Sequence, residues 1–146
     1  MSRNSSYNRN RGPDLADELA KKIKETVSKK FKEYPIDELV KDADEFGQFL
    51  AKTIGLKTSQ IRKFLDEIRR IQSDVTRNKE EGFFRNQSML LKPKLAYAAG
   101  RHNEVKPVLK LLDICIDRVH DNIDFRNFAR FVEAIIAYHR YYGGKD

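Results

Sequence analysis

Three histidines and one cysteine carry the obvious chemistry of this chain, and their spacing argues against using it. His102, His120 and His139 stand 18 and 19 residues apart. No HExxH, CxxC or other ligand spacing accompanies them, so they are read as caps and surface residues rather than metal ligands. Cys115 falls on an apolar stripe, whereas a reactive thiol needs an electropositive, partly exposed setting. It is read as a small core residue. No GxxxxGK[ST] or GxGxxG loop is present to cradle a nucleotide. A metal-independent nuclease needs paired His, or His with Lys, within reach of one phosphate. Nothing in the spacing supports that pairing. The reading is a protein with no catalytic residue, no cofactor and no metal.

The other chemistry is cationic. The net charge is +7, and it is concentrated. Residues 57–101 hold eleven Lys and Arg against five Asp and Glu, and residues 1–13 add three Arg and no acid. A surplus in one block gives a surface with a sign, and polyanionic nucleic acid is its first partner. Along residues 59–79, at about 100° per residue, Arg62, Asp66, Arg69, Ser73 and Arg77 share one arc, with Lys63 and Arg70 beside it. A solvated face laced with i, i+4 ion pairs is the plain alternative, and Asp66 fits it in part. Arg outnumbers Lys on this face, and its planar fork suits phosphate. The next segment, LLKPKLAYAAGR, interleaves Lys92, Lys94 and Arg101 with Leu91, Leu95 and Tyr97. Tyr97 has the ring to stack on a base, though a lone Tyr on a helix is more often core. Arg126 and Arg130, four apart on the side away from the main stripe, are read as solvent-exposed at least and second-tier phosphate binders at most.

Helices must position these groups, since every long segment has helical periodicity and none has a strand's. Residues 1–13 are Ser/Asn/Arg-rich and are read as a disordered basic arm. Residues 14–146 are read as one helical domain, a compact all-α bundle of about five to six helices. The first helix runs from Asp14 to about Phe31, with Leu15, Leu19, Ile23 and Val27 at four-residue spacing. The second starts at Pro35 and ends at Gly55. The third is capped by Thr58 or Ser59, carries Ile61, Phe64, Leu65, Ile68, Ile71 and Val75, and reaches as far as Lys79. The fourth, about Arg85 to Ala99, starts or bends at Pro93 and stops at Gly100. The fifth begins near Asn103 and points Val105, Val108, Leu109, Leu112, Cys115, Ile116 and Val119 inward. The sixth, Ile123 to Tyr142, has more aromatics than one stripe needs. It is either enclosed centrally or left with a face for a partner. Short connections predict antiparallel packing of sequential helices.

The bulk properties fit a soluble protein of the cytoplasm. Apolar residues make up 40% and charged ones 35%. No 18-residue apolar run exists, so no transmembrane helix is expected. Met1–Arg11 is polar and basic, unlike a secretory signal. A lone cysteine cannot form an internal disulfide, which fits a reducing compartment.

Three runs in this order carry a resemblance: LKTSQIRKFLDEIRRI (56–71), LLKPKLAYAAGR (90–101) and FRNFARFVEAIIAYHRYYGG (125–144). Over roughly residues 36–144 the chain resembles the small subunit of type III-A CRISPR effector complexes, the Csm small-subunit family. The resemblance implies a small helical bundle without activity of its own. Several copies would stack head to tail along a guide-RNA ribonucleoprotein for antiviral defence. They would line the groove where crRNA pairs with target RNA, beside other effector subunits that do the cutting. Mapped onto this chain, the RNA-backbone holders would be Lys57, Arg62, Arg69, Arg70, Lys92, Lys94 and Arg101. Such a subunit grips phosphate and shape, because base pairing reads the sequence.

Two other readings stay open on the residues. A helical DNA-binding regulator would need a short second helix after a tight turn, and only the Gly55 turn is available. A protein-only helical adaptor would carry its charge incidentally.

Overall fold

Each helix is set by the residues at its ends as much as by its stripe. The computed structural model describes residues 14–74 and 82–146. The first helix, α1 (Leu15–Thr26), opens on a reciprocal cap. The Asp17 amide donates to the Asp14 carboxylate at 3.0 Å and the Asp14 amide donates to Asp17 at 3.1 Å. It ends short of the expected Phe31, and a single turn, Phe31–Glu33, follows. Pro35 then precedes α2 (Ile36–Phe49), where its missing N–H costs nothing. A wider turn over Leu50–Ile54 follows α2 and closes on Gly55, whose φ of +78° favours glycine.

Helix α3 (Arg62–Asp74) is entered through a tight turn, Thr58–Ile61. Neither Thr58 nor Ser59 caps it as expected. The Gln60 side chain accepts the Lys57 amide at 3.0 Å, and Thr58 is drawn away to Asp146. Val75, Arg77 and Lys79 lie outside the described residues, as does the arm 1–13. The fourth expected helix is two. Gly82 (φ +87°) leads into α4 (Phe83–Met89), and after Leu90 the chain resumes as α5 (Leu91–Arg101). Pro93 sits in the first turn of α5. Gly100 does not stop the helix, which runs one residue past it. Helices α6 (Lys106–Ile116) and α7 (Asn122–Tyr141) complete the bundle, α7 with Asp121 as cap, its carboxylate accepting the Asp124 amide at 2.9 Å. No strand occurs among the described residues.

Packing follows the chain order at α5 on α6 and departs from it elsewhere: α2 lies chiefly on α7, α1 on α6, and α3 on α5. The surplus aromatics of α7 go to the centre: Phe125, Phe128 and Phe131 are all fully buried. Phe31 meets Phe128 edge-on at 6.0 Å, Tyr34 meets Phe131 at 5.4 Å, and Phe84 meets Phe125 at 6.2 Å. The single turn after α1 exists to deliver Phe31 and Tyr34 into this cluster. Only the C-terminal end of α7 keeps a bare aromatic, Tyr141, at 77% exposed. No described helix is long and apolar enough to cross a membrane.

Candidate nucleic-acid interface

Cys115 is fully buried, and that burial pushes its thiol far above the range of a nucleophile. His139 is fully buried rather than capping or exposed, a correction to the sequence reading. Its Nε2 lies 2.7 Å from the Leu56 carbonyl, and Gly144 sits against the ring where any side chain would collide. His120 is exposed, with Nε2 3.1 Å from the Lys29 carbonyl. His102 lies 3.5 Å from the Gln60 amide. No three His, Cys, Asp or Glu side chains converge among the described residues.

The cations divide by what surrounds them. Arg70 is engaged on three sides, with Glu67 at 2.7 Å, Asp74 at 3.3 Å and Gln87 at 2.9 Å. Its hydrogen bonds hold the Glu67 carboxyl below the ordinary value. Lys92 turns back against α6, to Asp117 at 2.6 Å and Asp113 at 3.3 Å. Burial opposes its charge, but these carboxylates outweigh it and hold the ammonium above its ordinary pKa. Arg69 has a loose contact to Asp66 at 3.5 Å and is largely exposed. Lys57, Arg62, Lys94, Arg101, Arg126 and Arg130 are all exposed, with no ion pair among the described residues.

These cations lie on α3, α5 and α7 and at the turn before α3. Helices α3 and α5 run side by side in opposite senses: Gln60, before α3, reaches Glu104, after α5, and Arg70 reaches back to Gln87. Lys94 lies close enough to Glu67 for its charge to act there. Arg62 and Arg69, seven residues apart, share one strip of α3, which faces the α7 side. There a groove of about 280 Å³ has a floor of Leu65, Ile68, Val132 and Ile136, rimmed by Arg69, Glu133 and Arg140. Arg140, which the sequence reading missed, pairs with Asp146. Lys57 stands beside Lys145, because the C-terminal tail lies along the start of the α3 turn, the Thr58 amide donating to the Lys145 carbonyl at 3.0 Å. Tyr97 is not core: it is 65% exposed, between Lys94 and Arg101 on α5.

The match to known sequences follows the same segments. The sequence model of one family, described as Csm2 Type III-A, matches residues 33–145, which hold every one of these cations. The chain belongs to the Csm2 type III-A family. It is the small subunit of that CRISPR system. A curated relative from Streptococcus thermophilus, "CRISPR system Cms protein Csm2", is 34% identical over 109 residues, covering 72% of this chain and 84% of the relative. No solved structure matches. The family match leaves out the arm and α1, in keeping with a resemblance that begins near residue 36.

Proposed function

We propose that this chain is a non-catalytic subunit of a type III-A CRISPR ribonucleoprotein of the cytoplasm, gripping the backbones of crRNA and target RNA in antiviral defence. The observation that carries the proposal is the set of open cations: Lys57, Arg62 and Arg69 about α3, and Lys94 and Arg101 on α5, on helices seated in one core. Arg126 and Arg130 are the secondary contacts. Arg70 and Lys92 already have carboxylate partners, so a smaller share of the RNA contact is expected of them. Cys115 and His139 are buried, and His102, beside Arg101, lies 3.5 Å from the Gln60 amide. Copies of the chain, joined with the other effector subunits, would add their few contacts through effective concentration.

Single-stranded RNA titrated into the purified chain tests this by fluorescence anisotropy. The expected binding is weak and indifferent to sequence, and log K falls with log salt at about −0.7 per phosphate neutralised. The RNA stays intact. Cleavage by the chain alone, or a marked preference for duplex DNA, would overturn the reading. Co-purification of a guide RNA and companion subunits on the tagged chain from its host would support it.

A further inference from the structure

We infer that Tyr97 is a stacking plate for one unpaired nucleobase, with Lys94 and Arg101 taking the phosphates to either side. The inference rests on the RNA-binding reading above and names the chemistry of one part of it. Three observations carry it. The ring is 65% exposed, and its hydroxyl has no hydrogen-bond partner among the described residues. Its helical neighbours one turn away are Pro93 and Lys94 on one side and Gly100 and Arg101 on the other. Pro93 is short, and Gly100 has nothing near it, so nothing on α5 overhangs the ring. Lys94 and Arg101 are exposed and without ion pairs among the described residues, about 10 Å apart along the helix with the ring between them. No carboxylate stands one turn away in either direction to repel a phosphate, whereas Lys92, on the neighbouring flank, is held against two.

An aromatic face between two cations suits a nucleotide whose base is free of its neighbours. Inside a duplex both faces of each base are covered, so the ligand is single-stranded RNA, or a base turned out of a paired stretch. Every base has a π-face, so this contact adds affinity without reading sequence. A protein partner resting on Tyr97 is the competing occupant, and it would need only apolar area.

The chain contains no tryptophan, so Tyr97→Trp, excited at the red edge where tyrosine does not absorb, reports on the site alone. Its emission should be quenched by single-stranded RNA, and not by the same backbone made abasic. Tyr97→Leu should weaken binding roughly tenfold, the effect of removing one base–aromatic stack, while Tyr97→Phe stays near the parent. That weakening should persist as salt rises, because stacking is uncharged. Emission that does not move while anisotropy reports salt-sensitive RNA binding would overturn the stacking role and leave the backbone-holding role intact. An absence of RNA binding by the parent chain at low salt would overturn both. Normal RNA binding by Tyr97→Leu, with companion subunits no longer held by Tyr97→Asp, would assign the ring to a protein contact and overturn the inference.

Discussion

Asp42 is a carboxylate taken almost wholly out of water, which is tolerable only with full compensation. The Lys22 ammonium donates to it at 2.9 Å and the Tyr34 hydroxyl at 2.6 Å. Burial, and then this bond, push the Tyr34 phenol far above its ordinary value, so it stays a donor at any working pH. Tyr34→Phe keeps the ring among Phe31 and Phe131 and removes only the donor. It should cost about 1.5–3 kcal/mol, the range for a hydrogen bond to a charged group, read as a lower urea midpoint at unchanged slope. Acid should act through other carboxylates. The Lys110 hydrogen bond lowers Asp17, and the Lys22 hydrogen bond lowers Glu38. For Asp121 burial works the other way, but the Asp124 amide and Lys32 prevail and its pKa is also lowered. Each carboxylate binds its proton more readily in the unfolded chain, so each stabilises the fold above the ordinary values of 3.8 and 4.5. That support is lost as pH falls through the lowered folded values. A thermal midpoint steady from pH 6 to about 5 and falling steadily below about 4.5 is the expected profile. A midpoint that rose on acidification would contradict it.

Among elements, α2 and α7 approach each other closely at Gly47. A Cβ there would lie 2.7 Å from the Tyr138 Cβ and 2.8 Å from the backbone of Ile135 and His139. Helix propensity alone favours Gly47→Ala by up to about 1 kcal/mol. Contact with rigid backbone should reverse the sign, giving a net loss of about 1–3 kcal/mol by urea denaturation. Arg85 is a second joint. Its guanidinium donates to the carbonyls of Asp117 at 2.8 Å and Val119 at 3.1 Å, just past the end of α6, and so ties α4 to a helix end with unpaired acceptors. These joints also mark the limit of what the sequence discloses. Stripes such as Ile61, Phe64, Leu65, Ile68 and Ile71 were legible because burial repeats with the helical turn, and all five are core. The break at Leu90 was legible only in part: Pro93 signals a start or a bend, but nothing in the sequence shows that a separate short helix, α4, precedes it. The burial of His139 was not legible, because the Leu56 carbonyl that receives it is 83 residues away. Arg85 counted as one more cation in a basic block, and its carbonyl partners appear only once α4 lies beside the end of α6.

For the whole molecule, the sorting of cations matters more than their number. The sequence locates a basic block correctly, but it cannot tell a cation facing solvent from one answering a carboxylate on a distant helix. Lys92 answers Asp117 and Asp113 across the α5–α6 contact, whereas Arg70 meets Glu67 and Asp74 at readable spacings on its own helix and only Gln87 reaches it from another. Two double variants separate these roles. Arg62→Glu with Arg69→Glu, and Arg70→Glu with Lys92→Glu, each take the net charge from +7 to +3. The long-range field on an approaching polyanion therefore weakens equally in both. If Arg62 and Arg69 touch phosphate, the first variant alone forfeits direct neutralisation of the backbone. Its affinity for single-stranded RNA should drop well below that of the second, and its salt slope should flatten by about 0.7 for each phosphate left without its arginine. The second variant sets glutamates against Glu67, Asp74, Asp113 and Asp117. It should show lower stability, by about 1 kcal/mol per partly exposed pair, with the salt slope retained. Equal affinity and equal slope for the two would mean that RNA responds only to net charge. The strip on α3 would then have no claim to being an RNA-binding surface.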